Sequence, residues 1–546
     1  MFLLICVFLQ LNSLIFATII TMKHFIALAI VAACFSLHAS GFEVNGIYYK
    51  ALSPTTAQVI PINSSSIGSG DISIGINYGY SGDVVIPETV TYNGADYQVV
   101  SAEDGVFASS SKMTSISLPA TLTELGPSPF ESCSKLTSIT VAASNPVYCS
   151  EGGVLYNKDK STLIAVPGGS TGNFTVPSTV TTIDNSAFYG CFRLTSISIP
   201  ETVEEIGTNA FRACTSLSSI NIPSNITEIK NGTFNGCSTL KAINIPDGVK
   251  TIGDYAFYYC RNLSQIQFPS ALTSIGDYAF CTCYQIPVIN IPEGVKSIGI
   301  RAFESCRTAR VANLPSTLET IGAGIFRGCT SLPSINLTSG NTHFMIDNGV
   351  LLDIDKTMVI CCPGGYRGSY EIPSTVKVIE EYAFYLCKNL SSVKLPEGLT
   401  TIRIASFTNC TLLETITLPS TLRTIGKSTF VGCSGIQSVF SYSKTPPIIS
   451  SEAYSSPTYS VPLYVPGSSS NLYKNADYWK NFNITRLIGD VNQDGEISVV
   501  DVMMLVSHVT GTDSDDSFEP QLGDLNNDGE ISVVDVMSLV DYVVGN

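Results

Sequence analysis

The chain has 546 residues, 44% of them apolar, and a formal net charge of −16; it exceeds one ordinary domain and has apolar side chains enough for a large core. The charge is concentrated: residues 488–546 hold 13 Asp or Glu and no Lys or Arg, leaving a net of −3 for the other 487 residues. No basic tract suits nucleic acid, and the four histidines (His24, His38, His343 and His508) join no Ser–His–Asp set, HExxH or phosphate loop, so a non-catalytic chain is expected.

In chain order, the first element is a targeting region, residues 1–40. From Met22 it has a charged start at Lys23, an apolar run Phe25–Leu37 and a small residue, Ala39, suited to cleavage. The uncharged stretch before Met22 leaves two readings open, a true start at Met22 or an extra membrane segment. Val31-Ala32-Ala33-Cys34 also fits a lipidation box, which makes a lipid anchor at Cys34 the alternative to cleavage. Each reading places the mature chain outside the cytoplasm, secreted or at the cell surface. No later stretch is long and apolar enough to span a bilayer.

Residues 41–130 read as an N-terminal cap and first repeats, with Phe42–Tyr49 as a capping strand. Residues 131–435 are a repeat array. Twelve phenylalanines mark a 23-residue period: Phe107 and Phe130, then Phe188 to Phe326, then Phe384, Phe407 and Phe430. One unit, Ile199–Pro223, reads IPETVEEIGTNAFRACTSLSSINIP. Its I-x-I segment alternates as a half-buried strand does, and the proline after it cannot donate to a ladder. The glycine of I-G is expected to supply a turn, and A-F-x-x-C-x-x-L a short helical or 3₁₀ return. Such a unit cannot bury its own apolar side, so neighbours must stack; twelve coils at ~4.8 Å each predict a curved rod of roughly 60 Å.

Two breaks in the period match. Phe130 to Phe188 and Phe326 to Phe384 are each 58 residues apart, 35 beyond one period. The added segments, Gly152–Gly169 and Asn348–Gly365, read as hairpins around Asp-Lys turns, either binding protrusions or inherited bulges.

Eleven of the 17 cysteines, Cys133 to Cys433, share one repeat position. A ladder of buried reduced thiols is expected, with disulfides between coils the alternative. Residues 436–487 read as a C-terminal cap, with a strand at Val461–Val465 and a short helix at Ser470–Phe482. The only tryptophan, Trp479, lies there; it either stacks on a sugar or seals the end of the core, and the seal is expected.

Around the IGxxAFxxCxxLxxIxIP unit and the VLYNKDKSTLIAVPGG insertions, the chain resembles the BspA-like leucine-rich repeat family of bacterial surface proteins, over roughly Phe42–Leu487. The cysteine departs from the general leucine-rich signature by preceding the strand. The resemblance implies a solenoid with a parallel sheet, a secreted or cell-surface location and a ligand that is a host or neighbouring-cell protein. It brings no catalysis.

The acidic tail, residues 488–546, writes GDVNQDGEISVVD and then GDLNNDGEISVVD. Asp490, Asn492, Asp494, Glu496, Ser498 and Asp501 stand at positions one, three, five, seven, nine and twelve of an EF-hand-like calcium loop. Asp524, Asn526, Asp528, Glu530, Ser532 and Asp535 repeat the set. Gly495 and Gly529 stand at the sharp turn. Oxygen donors at this spacing suit a hard cation, so two Ca²⁺ ions are expected. Apolar stripes follow at Val502, Leu505, Val506, Val509 and at Val536, Leu539, Val540, Val543, which predict two helices packed on each other. A module of roughly 59 residues is too short to fold comfortably without reinforcement, and calcium is expected to provide it.

This tail resembles a type I dockerin, with Asp at position twelve. The resemblance implies a cohesin partner contacted through positions ten and eleven, here Val499-Val500 and Val533-Val534; the bland alternative packs these valines in the core. The fold expected overall is an α/β leucine-rich-repeat solenoid with 23-residue repeats, a parallel sheet and two hairpin insertions, then a small all-α EF-hand-like dockerin. The function expected is a secreted surface protein whose solenoid binds a protein or glycan and whose tail docks it to a cohesin-bearing partner. Two readings compete with it: a non-catalytic carbohydrate-binding accessory subunit of a polysaccharide-degrading complex, and a tail that merely caps the solenoid.

Overall fold

Each coil is drawn by its buried isoleucines and leucines. In one coil, Leu194 and Ile197 point inward from the strand Arg193–Ser198. The chain turns at Pro200, whose carbonyl accepts from the Val203 N–H at 3.1 Å, and then forms a second, two-residue strand, Glu205–Ile206. It returns to the start of the next coil at Ser219–Ile220. Both strands pair in parallel with their equivalents, Ile197 with Ile220 and Ile183 with Ile206. The coil therefore carries two parallel ladders where the sequence pattern predicts one. The short ladder is invisible to that pattern because two residues cannot show an alternation.

The structure, a computed structural model, describes residues 41–62, 79–494, 497–512, 518–526 and 528–545. The targeting region with Cys34, and Gly495 and Glu496, lie outside them. The chain divides into two units, residues 1–223 and 224–546. In the first, Phe42–Val44 and Ile47–Ala51 form an antiparallel hairpin in place of the single expected strand, because Asn45 and Gly46 take left-handed backbone and turn the chain. Phe42 stacks on Tyr92 at 4.4 Å and closes that end of the core. In the second unit, two-residue strands from Glu228–Ile229 to Thr320–Ile321 form a five-stranded parallel ladder, and a seven-stranded sheet runs from Phe344–Asp347 to Ile448–Ile449.

The return segments differ from the helical form that their spacing predicts. A-F-x-x-C-x-x-L is a run of tight turns, in which the Cys214 N–H bonds the Phe211 carbonyl and the Leu217 N–H bonds the Cys214 carbonyl. Two residues per coil, such as Asn209 and Ala213, take left-handed backbone, which breaks any helix. The glycine of I-G is also not a turn glycine. A Cβ on Gly276 would stand 2.5 Å from the Asp254 carboxylate and 2.6 Å from its backbone nitrogen, one coil back, so glycine there permits close stacking.

Phenylalanine rings stack from coil to coil, 5.2 Å apart for Phe234 and Phe257 and 4.7 Å for Phe384 and Phe407. The cysteines line up beside them. The fifteen described are all free, and within the regular coils ladder thiols donate to the phenylalanine carbonyl 26 residues back, Cys214 to Phe188 at 3.2 Å and Cys410 to Phe384 at 3.0 Å; after the insertions Cys191 faces the Val166 carbonyl and Cys387 the Pro363 carbonyl instead. Burial pushes the Cys214 thiol up to about 12, which suits a small buried filler and leaves no thiolate at neutral pH.

Each insertion holds three strands. Tyr148–Glu151, Val154–Asn157 and Thr162–Ala165 form an antiparallel meander whose last strand joins the short ladder beside Thr182–Ile183. Phe344–Asp347, Val350–Asp353 and Met358–Cys361 repeat it. The middle strands bury Val154, Leu155 and Tyr156, and Val350, Leu351 and Leu352, so the insertions continue the solenoid core.

Near the C-terminus, helix α1 (Ser470–Asn475) and the turn Trp479–Asn481 cover the last coil. Trp479 is buried, its indole N–H bonding the Pro447 carbonyl at 2.7 Å. It packs near Tyr454, Tyr473 and Phe482; it seals the core and offers no face to a sugar.

Candidate calcium loops and an exposed helix face

Loop residues with short polar side chains favour turns over strands because the side chain can bond the backbone two residues on. In the first loop the Asn492 side-chain oxygen accepts from the Asp494 N–H at 2.9 Å, and in the second Asn526 accepts from Asp528 at 2.9 Å. Asp524 curls inward and accepts from the N–H groups of Asp528 (3.1 Å) and Gly529 (2.8 Å). Gly529 turns with φ of +89°. Position twelve ties the loop shut. The buried Asp501 carboxylate accepts from Val491 N–H (2.9 Å) at one end and Ser498 N–H (2.8 Å) at the other, and Asp535 does the same with Leu525 and Ser532 (both 2.8 Å).

Each loop runs straight into a helix, α2 (Val499–Thr510) and α3 (Val533–Gly545). Ser498 caps α2 by accepting from the Val500 N–H, with Asp501 completing a capping box. Ser498 and Asp501 thus serve loop and helix together. Burial raises the Asp501 carboxyl above its ordinary value. In Asp535, burial also pulls upward, but hydrogen bonds from Ser532, Asn526 and Leu525 outweigh it and hold the carboxyl low.

Among the described residues no three His, Cys, Asp or Glu side chains form a metal-binding group; Glu496 lies outside them. The donor set nonetheless fits Ca²⁺. Asp490, Asn492, Asp494, Ser498 and Asp501, and Asp524, Asn526, Asp528, Glu530, Ser532 and Asp535, offer carboxylate, amide and hydroxyl oxygens at alternate positions of two loops already closed by their position-twelve carboxylates. A bound Ca²⁺ would neutralise carboxylates that otherwise repel.

The helices pack through a small core of Val491, Leu505, Leu522 and Leu539. Val499, Val500, Val533 and Val534 are not in it: they are 60%, 52%, 60% and 56% exposed. The alternative that packs them in the core does not hold. Val506 and Val540, expected in the buried stripes, are exposed as well, because two helices cover less than the full apolar arc of each other. Met503 and Met537 complete each face. The sequence pattern did not single them out, although they stand three and four residues after the valine pairs, on the same helical face.

Two family models match the chain. "BspA type Leucine rich repeat region", in six copies, matches residues 89–162, 168–286, 250–350 and 367–483, and "Dockerin type I domain" matches 488–544. The chain belongs to the BspA-type leucine-rich repeat family. Among solved structures, this BspA-type chain is similar to a leucine-rich repeat protein of Bacteroides ovatus (24% identity, 82% of this chain and 99% of that one, TM-score 0.38). It is also similar to a leucine rich cell surface protein of Faecalibacterium prausnitzii (21%, 87% and 98%, 0.41) and to the pneumococcal vaccine antigen PcpA (17%, 82% and 97%, 0.28). No curated protein matches.

BspA-type repeats and type I dockerins are non-catalytic interaction modules found outside cells; dockerins of this type bind calcium and imply a cohesin partner. Among the described residues no helix is long and apolar enough to cross a membrane.

Proposed function

We propose that this is a secreted bacterial surface protein whose repeat array binds a protein or glycan, while its tail, loaded with two Ca²⁺ ions, docks it to a cohesin-bearing partner. Asp490, Asn492, Asp494, Glu496, Ser498 and Asp501 hold one ion, and Asp524, Asn526, Asp528, Glu530, Ser532 and Asp535 the other. The carrying observation is the pair of exposed Val-Val-Met faces, each set at the start of a helix that its own loop orients. Exposed apolar patches repeated in this way mark an interaction surface. They weigh against a tail that only caps the solenoid, since a cap would bury them.

The test uses the full chain. Among the described residues α2 and α3 are the only helices longer than α1's six residues, so helical circular dichroism reports on the tail. The Asp490→Ala, Asp524→Ala double variant is expected to lose the calcium-dependent helical signal that chelator removes from the parent, and to lose capture by immobilised cohesin. Helical signal unchanged by chelator in the parent would refute the calcium-organised tail.

A further inference from the structure

One face of the second unit carries an arrangement that the core does not need. In the column two residues before the phenylalanine, backbone is left-handed in coil after coil. Elsewhere in the repeats that column holds small or turn-forming residues such as Ser186, Asn209, Gly232 and Gly324, which suit it, and one large residue, Tyr382, after the second insertion. In three successive coils it holds Tyr255 (φ +56°), Tyr278 (+54°) and Arg301 (+51°). Large side chains there cost stability, so something other than the turn selects them. Tyr255 and Tyr278 stack at 5.0 Å with planes 4° apart, and the Arg301 guanidinium lies 5.6 Å from the Tyr278 ring centre. Gly232, one coil earlier, puts no side chain over the outer face of Tyr255, which is 41% exposed.

A second column runs beside it, at the residue after the ladder cysteine. Arg261, Tyr284 and Arg307 occupy it in the same three coils. Arg261 lies 6.0 Å and Arg307 4.6 Å from the Tyr284 ring centre, so the guanidiniums flank the ring. Both arginines are exposed, and among the described residues neither joins an ion pair. The carboxylates next to the first column have other partners: Asp254 accepts from the Asp277 N–H (2.8 Å), Asp277 from the Ile300 N–H (2.6 Å), and Glu304 pairs with Arg327 (2.6 Å) and Arg301 (3.9 Å). Two free, pre-organised cations thus stand two coils apart, about 10 Å at ~4.8 Å per coil, in a chain of net charge −16.

We propose that this Tyr/Arg face binds an acidic polysaccharide that carries a carboxylate or sulfate on every second sugar. The distance between the two cations is near the length of one disaccharide in an extended chain. Guanidinium edges suit carboxylate and sulfate, tyrosine hydroxyls suit sugar hydroxyls, and the open face of Tyr255 suits a sugar ring. An acidic protein would use the cations but not this regular spacing. The proposal rests on the reading of the repeat array as a binding surface and names its ligand class.

The test is titration calorimetry on the full chain at low and physiological salt. The probes are chondroitin (a uronate on every second sugar), chondroitin sulfate (the same backbone with sulfate on the amino sugar) and neutral dextran, beside a panel of extracellular-matrix proteins. Binding of an acidic glycan and not of dextran is expected, weakened tenfold or more in the Arg261→Gln, Arg307→Gln double variant and several-fold in Tyr255→Ala, with melting temperatures unchanged. Equal binding of chondroitin and chondroitin sulfate marks carboxylate recognition, and binding of the sulfated chain alone marks sulfate recognition. Acidic-glycan binding that the double variant leaves intact would overturn the proposal. So would matrix-protein binding that the double variant abolishes in the absence of glycan binding, although the array would remain a binding surface. Absence of binding to every probe would remove that wider reading too.

Discussion

Gly276 shows how much a single hydrogen can decide. Local rules make glycine a turn residue, yet here it is selected by the neighbouring coil, whose Asp254 would meet any Cβ. Gly276→Ala is expected to destabilise the repeat array by about 1–3 kcal/mol through overpacking, read as a lower midpoint in chemical denaturation with an unchanged slope. The cysteines follow a related rule. Their count makes disulfides one alternative, but ladder thiols such as Cys214 and Cys410 face a phenylalanine carbonyl one coil back. The repeat position of the cysteine was legible from spacing; its hydrogen-bond partner was not, because that partner lies 26 residues away.

Helices α2 and α3 mark the limit of reading amphipathicity from one helix at a time. Leu505 and Leu539 are buried as the stripes require, while Val506 and Val540 are not. A stripe read from one helix assumes a partner wide enough to cover it, and α2 has only α3 and the segment around Leu522. The uncovered face is where binding is expected. Replacing Val499, Val500, Val533 and Val534 together by Asp should leave the melting temperature within about 2 °C, since exposed substitutions usually change stability by under ~0.5 kcal/mol. The same variant should weaken capture by cohesin at least tenfold. A large loss of stability would instead place those valines in the fold. The return segments failed as helices for an equally local reason: two left-handed residues per coil interrupt them, and nothing in residues such as Ala213 or Tyr255 announces that conformation.

Across the whole molecule, charge and architecture divide between repeat and tail. The tail touches the C-terminal cap and last coil through polar contacts that include a Tyr442–Tyr542 hydroxyl pair at 2.9 Å, the Ser468 hydroxyl donating to the Gln493 carbonyl at 3.0 Å and an Arg486–Glu519 ion pair at 3.5 Å. Calcium should therefore act mainly on the tail. At a hundredfold excess over its dissociation constant each ion adds about 2.7 kcal/mol. In scanning calorimetry the smaller transition should rise with calcium and vanish with chelator while the larger one stays in place. A single transition that moves as one would show that tail and repeat unfold together.

The amino-acid sequence by itself determined the repeat length, the recurring columns of Phe and Cys and the two acidic loops of EF-hand-like spacing, because each is a pattern of residue types at fixed spacing and spacing survives in one dimension. Tertiary structure alone decided the second parallel ladder, the true reason for the I-G glycine, the exposure of the valine faces and the meeting of Arg261, Tyr284 and Arg307. These depend on what a neighbouring coil or helix places opposite a residue, and residues 23 apart in the chain become neighbours only when the coils stack.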